Sequence, residues 1–436
     1  MDEINARGVE RDDRFTEFRK IDRQHRRGDL HGSHARSSLG SMTMSDAESP
    51  GVPHDAVSAV GARRRLQIER LVAGGDALAR DTDGRVVFVD TGLPGETIEA
   101  EFVEVKRDFA RARTLRVVAA SPVRVTPPCR HVADGCGGCD WQHLAAHAQH
   151  DAKAAVVREA FARTARLPEA PIVRGGAVSH DASRTTVRMA VTPSGRLGFR
   201  RASSHESVEI EQCLVMHPLL QSLVSTVGVR GDGEVTLRCS VATGERAVWS
   251  HDKARVLGLP DDVAAGAAAV VHEDVAGARL RVSMASFFQA SPQAAELLVD
   301  AVARAAGNAL DGRDGVVVDA YGGVGLFAAT VVPIGVQCVL VESSESACSD
   351  AYENLRGRSA MVMHTRFEHW RAVRAGLVIA DPARSGLGKA GVTTLLDTAA
   401  PTVVLVSCDA VAAARDARLL VDAGYDLVNA EVLDLF

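Results

Sequence analysis

Apolar and polar residues alternate in short segments between about residues 65 and 120. Residues 97–102 are the clearest case, because apolar side chains occupy every second position there. A period of two predicts half-buried strands, and turns rich in glycine and aspartate separate the segments. Further strands are predicted at 86–90 and 114–119. Short strands at this spacing predict a small β-barrel.

A different pattern begins near residue 292, where continuous apolar segments alternate with helical ones. Pro292 opens a predicted helix that ends near residue 307. Strands are predicted after it at 316–320, 338–342, 361–364, 377–380, 403–407 and 426–433. Buried strands that alternate with helices predict an α/β fold with a parallel, doubly wound sheet.

The remaining segments give weaker patterns. A helix is predicted near 144–165, and residues 184–290 are predicted to be mixed and rich in strands, among them 234–242 and 278–286. Residues 1–60 are predicted to form a disordered tail, because they cannot bury enough apolar surface to offset their ordering entropy. The three domains predicted after this tail are a barrel at 61–123, a central domain at 124–290 and an α/β domain at 291–436.

Composition places the chain among ordinary soluble globular proteins. Of its 436 residues, 46% are hydrophobic and 24% are charged, which is enough apolar material for more than one core. No apolar run approaches the roughly 18 residues of a membrane-spanning helix. The N-terminus lacks the apolar core of a signal peptide, so we expect a cytoplasmic protein without membrane contact.

The charge of the chain gives two conflicting indications. A net charge of −6 and an aromatic content of only 4% argue, taken alone, against a nucleic-acid-binding protein. Residues 105–130 and 183–205, however, are rich in arginine and nearly free of acidic residues. Such stretches can bind a polyanion, because phosphate contacts respond to the local potential. The alternative is two solvated faces whose counter-charges lie elsewhere in the chain.

A glycine-rich turn is the first motif that suggests a ligand. Residues 319–327, DAYGGVGLF, join a predicted buried strand to a helix, and Glu342 ends the next strand. Glycines at such a turn let a ligand approach the backbone, and the glutamate can accept hydrogen bonds from ribose hydroxyls. The spacing differs from the G-x-G-x-x-G pattern of dinucleotide sites and favours a nucleoside such as S-adenosylmethionine. The alternative is a tight turn without a ligand.

Asp381 and Cys408 each follow a predicted strand of the same sheet. The carboxyl ends of the strands form the ligand crevice in doubly wound sheets. Asp381 is therefore a candidate ligand-binding carboxylate, or alternatively a helix N-cap. Cys408 is a candidate nucleophile, because a following helix N-terminus favours the thiolate. The alternative for Cys408 is a small buried apolar residue.

Four cysteines form the last candidate site: Cys129, Cys136, Cys139 and Cys213. The C-x2-C pair, flanked by glycine and preceded by a third cysteine, approaches the spacing of iron–sulfur ligands. A zinc site with four cysteine ligands is the competing interpretation. A disulfide is not expected in a cytoplasmic chain.

Together these residues resemble the RNA 5-methyluridine methyltransferases, of the 23S rRNA (uracil-C5)-methyltransferase type with an N-terminal TRAM domain. The resemblance extends over nearly all of residues 65–436. Its motifs, in the family's order, are CGGCDWQH (136–143), GRLGFRR (195–201), EQCLVMHP (211–218), SFFQASPQ (286–293), DAYGGVGLF (319–327), DPARSGLGK (381–389) and SCDAVAAARD (407–416).

The resemblance implies a Rossmann-like methyltransferase domain, an α+β central domain and an OB-like TRAM barrel that binds RNA. It also implies that Cys408 is the catalytic nucleophile. The residues that match the family's contacts to S-adenosylmethionine are Gln289, Tyr321, Glu342 and Asp381. The residues that match the ligands of its [4Fe–4S] cluster are Cys129, Cys136, Cys139 and Cys213.

The sequence departs from the family's pattern at the nucleophile and near its ends. The family's SCNP is SCDA here, at residues 407–410. The family continues after LDLF into an FPxTxHxE stretch, whose glutamate is the general base and which would lie beyond Phe436. We therefore expect a stalled covalent adduct through Cys408 and an unpaired sheet edge at 425–436. A second hypothesis is that translation begins at Met42 or Met44.

The function that the sequence favours is methylation of uridine carbon 5 in RNA, by a protein expected to be a monomer. Ribosomal RNA is the first choice of substrate, because the tRNA-directed branch of the family typically lacks the TRAM domain and the cluster; tRNA is the alternative. A non-catalytic RNA-binding iron–sulfur protein and a methyltransferase for small molecules are alternatives of other classes. The barrel and the arginine-rich stretches argue against the last of these.

Overall fold

The computed structural model describes residues 14–20, 59–311 and 315–435. The chain divides into two compact units. Among the described residues, the smaller unit comprises 59–70 and 76–120, and the larger comprises 14–20, 71–75 and 121–435 with its internal gap. No helix in these described ranges is long and apolar enough to cross a membrane.

The elements have the following bounds. The strands are β1 (Arg14–Lys20), β2 (Arg63–Leu71), β3 (Ala77–Arg80), β4 (Val86–Val89), β5 (Thr97–Val105), β6 (Phe109–Ala119), β7 (Ile172–Ala177), β8 (Thr186–Val191), β9 (Leu197–Arg200), β10 (Ser207–Glu209), β11 (Gly228–Arg230), β12 (Glu234–Cys239), β13 (Arg246–Ser250), β14 (Arg255–Leu257), β15 (Val263–Ala265), β16 (Val270–Val275), β17 (Ala278–Ser283), β18 (Val316–Ala320), β19 (Cys338–Glu342), β20 (Ala360–His364), β21 (Ala375–Ala380), β22 (Thr402–Ser407) and β23 (Tyr425–Asp434). The helices are α1 (Ala146–Ala160), α2 (Pro218–Thr226), α3 (Pro292–Ala306), α4 (Leu326–Thr330), α5 (Glu345–Asn354), α6 (Gly388–Asp397) and α7 (Ala410–Asp422).

The smaller unit is a closed barrel, as the alternating pattern predicts. Its strand order is β2-β3-β4-β6-β5. In β5, Ile98, Ala100 and Phe102 are buried while the residues between them are partly exposed. Alternate residues of a strand point to opposite faces, so this pattern fills the barrel on one side and meets water on the other.

The larger unit is built around an eight-stranded sheet with the order β20-β19-β18-β21-β22-β1-β23-β7. The run from β20 to β22 is parallel. Its central strands are buried along their whole length, with Val317, Val378 and Val404 completely inaccessible to solvent. The continuous apolar segments of the sequence therefore predict this part of the fold correctly.

Strand β1 differs from the sequence prediction. It lies between β22 and β23 and runs antiparallel to both, with Arg14 opposite Ser407 on one side and Val432 on the other. The prediction of a disordered tail at 1–60 is therefore wrong at residues 14–20; residues 1–13 and 21–58 lie outside the described part. That prediction weighed side-chain burial alone, whereas strand pairing uses backbone groups that any sequence supplies.

The predicted unpaired edge at 425–436 is also wrong. Strand β23 has β1 as a partner on one side and β7 on the other. Strand β7 comes from the predicted central domain, yet it extends the sheet of the predicted α/β domain. Helix α1, also from the central segment, packs against β23 and α7. Elements of the predicted central domain therefore form part of the predicted α/β domain, so a boundary at residue 290 does not separate the two.

A second sheet forms most of the remaining central segment, with the order β10-β9-β8-β12-β13-β15. Strand β12 buries Val235, Leu237 and Cys239 in the same apolar cluster as Leu220 and Leu223 of α2. Two smaller sheets pair β11 with β14 and β16 with β17. The loop from β17 to α3 leads from this segment into the eight-stranded sheet.

A buried ion pair joins α1 to the end of β23. Lys153 Nζ donates to Asp434 Oδ1 at 2.7 Å, and both side chains are almost completely buried. Burial alone would raise the pKa of Asp434. The hydrogen bonds and charges of His180 and Lys153 outweigh that effect and hold the pKa below its usual range.

We expect Lys153→Met to lower the free energy of unfolding by about 3–5 kcal/mol, because a buried carboxylate is left without its main cation. The double variant Lys153→Met, Asp434→Leu should lose less, since neither charge remains buried. The depressed pKa of Asp434 means that the pair stabilises the fold above about pH 4 and is lost as the pH falls further. Urea unfolding measures all three effects; equal stability of the wild type and Lys153→Met would contradict the assignment.

Candidate active site

The sheet brings four of the sequence-predicted residues to one edge. Tyr321 directly follows β18, Glu342 ends β19, Asp381 follows β21 and Cys408 follows β22. These four strands are parallel and adjacent in the order β19-β18-β21-β22. Since parallel strands end at the same edge of a sheet, the four residues line one crevice.

The turn after β18 needs its glycines. A Cβ atom at Gly322 would lie 2.5 Å from Leu340 Cγ, so only glycine lets the turn pack against β19. Gly325 has a φ of +89°, a left-handed conformation that glycine adopts without strain. Tyr321, with a φ of +59°, adopts the same region although it carries a side chain. The turn therefore has a conformation that depends on glycine at positions 322 and 325.

Glu342 is fixed by three backbone donors. Its Oε2 accepts from Gly323 N at 3.0 Å, and its Oε1 accepts from Ser343 N at 2.6 Å and Ser344 N at 2.7 Å. A carboxylate offers about four acceptor positions. The Ser343 hydroxyl also contacts Oε1 at 3.4 Å, whereas Oε2 accepts only the bond from Gly323 among the described residues, so its second lone pair suits a hydroxyl group of a sugar.

Asp319 is a buried carboxylate whose role the sequence did not identify. Its Oδ2 accepts from Ala328 N at 3.0 Å, but its Oδ1 has no hydrogen-bond partner among the described residues. Burial raises the pKa of Asp319 to about 7, and the negative charges of Asp381 and Glu342 add to this effect. A buried oxygen with free acceptor capacity suits a donor or a cation of a bound ligand. Its position at the start of the glycine-rich motif was the available signal.

Asp381 lies beside this turn. Its backbone N donates to Ala320 O at 3.2 Å, and desolvation raises the pKa of its carboxyl group to about 7. The alternative role as a helix N-cap does not apply, because helix α6 begins only at Gly388. Asp381 is therefore a second carboxylate whose negative charge the crevice disfavours.

Tyr321 contacts an acidic residue that the sequence did not single out. Its hydroxyl donates to Glu368 Oε1 at 2.5 Å, and its ring lies 5.3 Å from the ring of Phe367. Burial and the neighbouring Glu368 both raise the pKa of Tyr321. Glu368 follows β20 at the same edge of the sheet, and that position was its only signal in the sequence.

Cys408 is half-buried between β22 and α7. The next residue, Asp409, caps α7 by accepting from Val411 N at 2.9 Å and Ala412 N at 2.7 Å. The aspartate that stands where the family has asparagine therefore still caps this helix. The N-terminal, positive end of α7 lies on the side of Cys408. Within the part of the chain that the structure describes, all eight cysteines are outside disulfides.

Gln289 lies on the loop between β17 and α3, where it is buried. The Arg238 guanidinium holds this loop through the carbonyl oxygens of Ser283 at 2.7 Å and Ser286 at 2.9 Å. The Ser286 hydroxyl also donates to Asp350 Oδ2 of α5 at 2.6 Å. The structure thus fixes the loop of Gln289 against the helix that follows Glu342.

The four predicted cluster ligands lie in one neighbourhood of the central segment. Burial raises the pKa of Cys136 to about 11, and the thiolates of Cys139, Cys213 and Cys129 raise it further, which requires all four to be close together. Within the described ranges, however, no group of three or more His, Cys, Asp or Glu side chains is arranged to hold a metal ion. The four cysteines are therefore neighbours in the structure, but their side chains do not surround a position for a metal ion.

The two arginine-rich stretches have counter-charges, as the alternative interpretation holds. In the barrel, Arg113 pairs with Glu101 at 2.8 Å and Arg116 with Glu99 at 2.6 Å. In the central sheet, Glu234 of β12 lies 2.5 Å from the Arg188 guanidinium. The acids come from neighbouring strands, which inspection of a single stretch cannot reveal. Exposed pairs of this kind contribute little to stability, so their arginines can exchange one anionic partner for another.

Comparison with known proteins supports the family resemblance that the sequence motifs indicate. A model of the TRAM domain matches residues 57–115. The chain is 32% identical to the 23S rRNA (uracil(1939)-C(5))-methyltransferase RlmD of Halomonas elongata, and the match covers 92% of each chain. An uncharacterized RNA methyltransferase of Streptomyces avermitilis is 30% identical over 86% of this chain and 96% of its own.

A solved structure shows the same fold. The tRNA (uracil-54, C5)-methyltransferase of Pyrococcus abyssi, in complex with S-adenosyl-L-homocysteine, matches with a TM-score of 0.61 at 21% identity, covering 82% of this chain and 93% of the other. This match confirms the predicted fold class, and the TRAM match confirms the predicted type of barrel. With relatives at this identity aligned over nearly its whole length, the chain belongs to the TRAM-containing RNA (uracil-C5)-methyltransferases, the family of the RlmD enzymes.

Proposed function

We propose that this protein transfers a methyl group from S-adenosylmethionine to carbon 5 of a uridine in RNA, with Cys408 as the nucleophile. The observation that carries the proposal is the meeting of Cys408 with Asp319, Glu342 and Asp381 at one edge of the parallel sheet. A thiol and a set of ligand-binding carboxylates on adjacent strand ends are the groups that this reaction needs.

The crevice suits S-adenosylmethionine, which supplies a methyl group activated on a sulfonium ion. Glu342 has acceptor capacity for the ribose hydroxyls. The unsatisfied Oδ1 of Asp319 and the desolvated carboxyl of Asp381 provide negative charge for the cationic end of the molecule. Tyr321 and Gln289 lie on the segments that border the same crevice.

Cys408 makes the uracil ring reactive. Its thiolate adds to carbon 6, so an S–C bond forms and carbon 5 gains enolate character. Carbon 5 then attacks the methyl group: a C–C bond forms, the bond between the methyl group and the sulfonium sulfur breaks, and S-adenosylhomocysteine leaves. A base then removes the proton from carbon 5. The electron pair of that C–H bond restores the double bond and expels the Cys408 thiolate. The uridine has to leave any base stack to reach the thiol.

Ribosomal RNA is the proposed substrate, and 23S rRNA in particular. Two relatives, 32% and 30% identical to this chain, are named as 23S rRNA (uracil(1939)-C(5))-methyltransferases. The TRAM barrel and the exchangeable arginine pairs give the chain surfaces for a folded RNA. tRNA is the second candidate, which the name of the solved relative favours.

We also propose that Cys129, Cys136, Cys139 and Cys213 hold a [4Fe–4S] cluster. What supports this is the donor chemistry: four thiols in one neighbourhood, where Cys129 and Cys139 both raise the pKa of Cys136 and of Cys213. Backbone contacts steady two of them, since Cys129 N donates to Gln142 Oε1 and Cys213 N donates to Gln221 Oε1. Such a cluster would join the loop of residues 129–139 to the segment around Cys213.

We expect Cys408→Ala to abolish methylation of a 23S rRNA fragment while leaving S-adenosylmethionine binding unchanged, because the thiol acts on uracil and not on the cofactor. An RNA in which 5-fluorouridine replaces uridine should form an adduct stable in denaturing gels with the wild type only, since fluorine cannot leave as a proton does. Cys348→Ala is the matched control. Full methylation by Cys408→Ala would contradict the mechanism, and faster methylation of tRNA than of the rRNA fragment would favour the second substrate.

The affinity for S-adenosylmethionine should rise with pH up to about 7. Burial raises the pKa values of Asp319 and Asp381 from 3.8 to about 7. Between these two pH values the folded protein binds more protons than the unfolded chain, so its stability falls as the pH rises from about 4 to about 7. A cationic ligand favours the ionised carboxylates, so binding at pH 6 should release protons. Calorimetry in two buffers of different ionisation enthalpy measures this release. Equal affinity and no proton release at pH 6 and 8 would contradict it; Asp319→Asn should release fewer protons than the wild type.

Anaerobically purified protein should contain about four iron atoms per chain and show the Mössbauer spectrum of a [4Fe–4S] cluster. Cys136→Ser should lose most of the iron, whereas Cys239→Ser should keep it, because Cys239 is buried in the apolar cluster of β12. Stoichiometric zinc in place of iron would show that the competing metal occupies the site.

A further inference from the structure

The loop between β21 and α6 follows the cofactor-side residue Asp381, and helix α7 holds it in place. We propose that Asp416, assisted by Arg415, is a positioning residue that sets the place of Cys408 relative to the cofactor-binding groups. Neither residue is among those that the sequence pattern assigned to the site. The link to catalysis rests on the proposed function, whereas the contacts themselves do not.

Asp416 is buried within α7, only 1% exposed. Its Oδ2 accepts from Leu387 N at 2.6 Å and its Oδ1 accepts from Gly388 N at 3.1 Å. Leu387 and Gly388 are the N-cap and first residues of α6, and no side chain of α6 caps this end. The carboxylate of one helix therefore caps the N-terminus of another, where a negative charge is most stabilising.

Arg415 extends the same contact along the loop. Its guanidinium donates to Asp416 Oδ1 through Nε at 2.9 Å and through an Nη at 2.7 Å, and to the Ser385 carbonyl oxygen at 2.6 Å. Together, Arg415 and Asp416 therefore form hydrogen bonds to three residues at the end of the loop and the start of α6: Ser385, Leu387 and Gly388. Hydrogen bonds between charged groups are shorter and stronger than neutral ones, so this contact restricts the positions of both side chains.

Gly386 shows how closely the loop approaches Asp416. A Cβ atom at this position would collide with Asp416 Oδ2, and its φ of +70° is a conformation that other residues rarely adopt. The loop sequence therefore contains glycine where the carboxylate needs room. A larger residue at position 386 would therefore disturb the same contact from the side of the loop.

Helix α6 connects the contact to the cofactor side of the crevice. Gly391 of α6 packs so closely on Tyr321 that a Cβ atom there would lie 3.1 Å from the Tyr321 hydroxyl. The negative charge of Asp416 contributes to the raised pKa of Tyr321, so the two side chains are near each other. On the side of the nucleophile the connection is short, because α7, which carries Asp416, begins two residues after Cys408. One rigid helix therefore ties the nucleophile to both Asp381 and Tyr321.

Asp416→Asn keeps the size of the side chain but loses the charge and one acceptor site. We expect its kcat/KM for S-adenosylmethionine to fall about tenfold or more, since small displacements of reacting groups have effects of that order. The loss should lie in the KM for S-adenosylmethionine and in kcat, with the KM for RNA unchanged. Asp416→Glu should recover part of the loss, and Gly386→Ala should imitate it.

Asp422→Asn is the matched control, because Asp422 lies on the same helix in an exposed pair with Arg418. Two readouts do not depend on methylation: hydrogen exchange at the amides of Leu387 and Gly388, and the affinity for S-adenosylmethionine by calorimetry. Both should change in Asp416→Asn and stay at wild-type values in Asp422→Asn. Unchanged exchange, or a lower melting temperature with unchanged affinity, would overturn the proposal. A wild type that binds the cofactor but methylates no RNA would instead refute the proposed function.

Discussion

The site depends on the register of three parallel strands. Ala320 of β18 lies opposite Ala380 of β21, and Ala380 in turn lies beside Leu405 of β22. Because these strands are mostly apolar and their central residues are buried, a shift in their pairing would expose core residues. The pairing therefore fixes where the chain leaves the sheet. The residues after each strand, among them Asp381 and Cys408, reach the same crevice as a consequence of core packing.

The chemistry of the crevice follows from what that packing does to carboxylates. Asp319 and Asp381 both lose solvent, and their pKa values rise to about 7. Without a ligand these groups are costly to ionise, and a cationic ligand removes part of that cost. The same arrangement that weakens the free protein thus favours S-adenosylmethionine over neutral or anionic nucleosides. Glu342 contributes in another way, because three backbone donors fix the position of its carboxylate at the crevice.

Local patterns predict those parts of the molecule whose causes are local. The alternation in β5 and the apolar runs of β18 to β22 depend on burial that each segment shows by itself. Contacts between distant segments leave no such pattern: Lys153 meets Asp434, and the barrel arginines meet acids on other strands. Strand β1 also escaped prediction, because backbone pairing needs no special sequence. In the site, Asp381 and Cys408 follow strands and were visible, whereas Glu368 and Asp416 are recognisable only from the groups that they contact.

The central claim is that the groups at this edge of the sheet act together on uridine in RNA. The most direct measurement is the identification of the modified nucleoside by mass spectrometry after the protein is incubated with a 23S rRNA transcript and S-adenosylmethionine labelled in the methyl group. We expect label on carbon 5 of uridine, together with a covalent peptide–nucleotide conjugate at Cys408 when the reaction is quenched early. Label on another atom of the base or on the ribose, with no conjugate at Cys408, would contradict it.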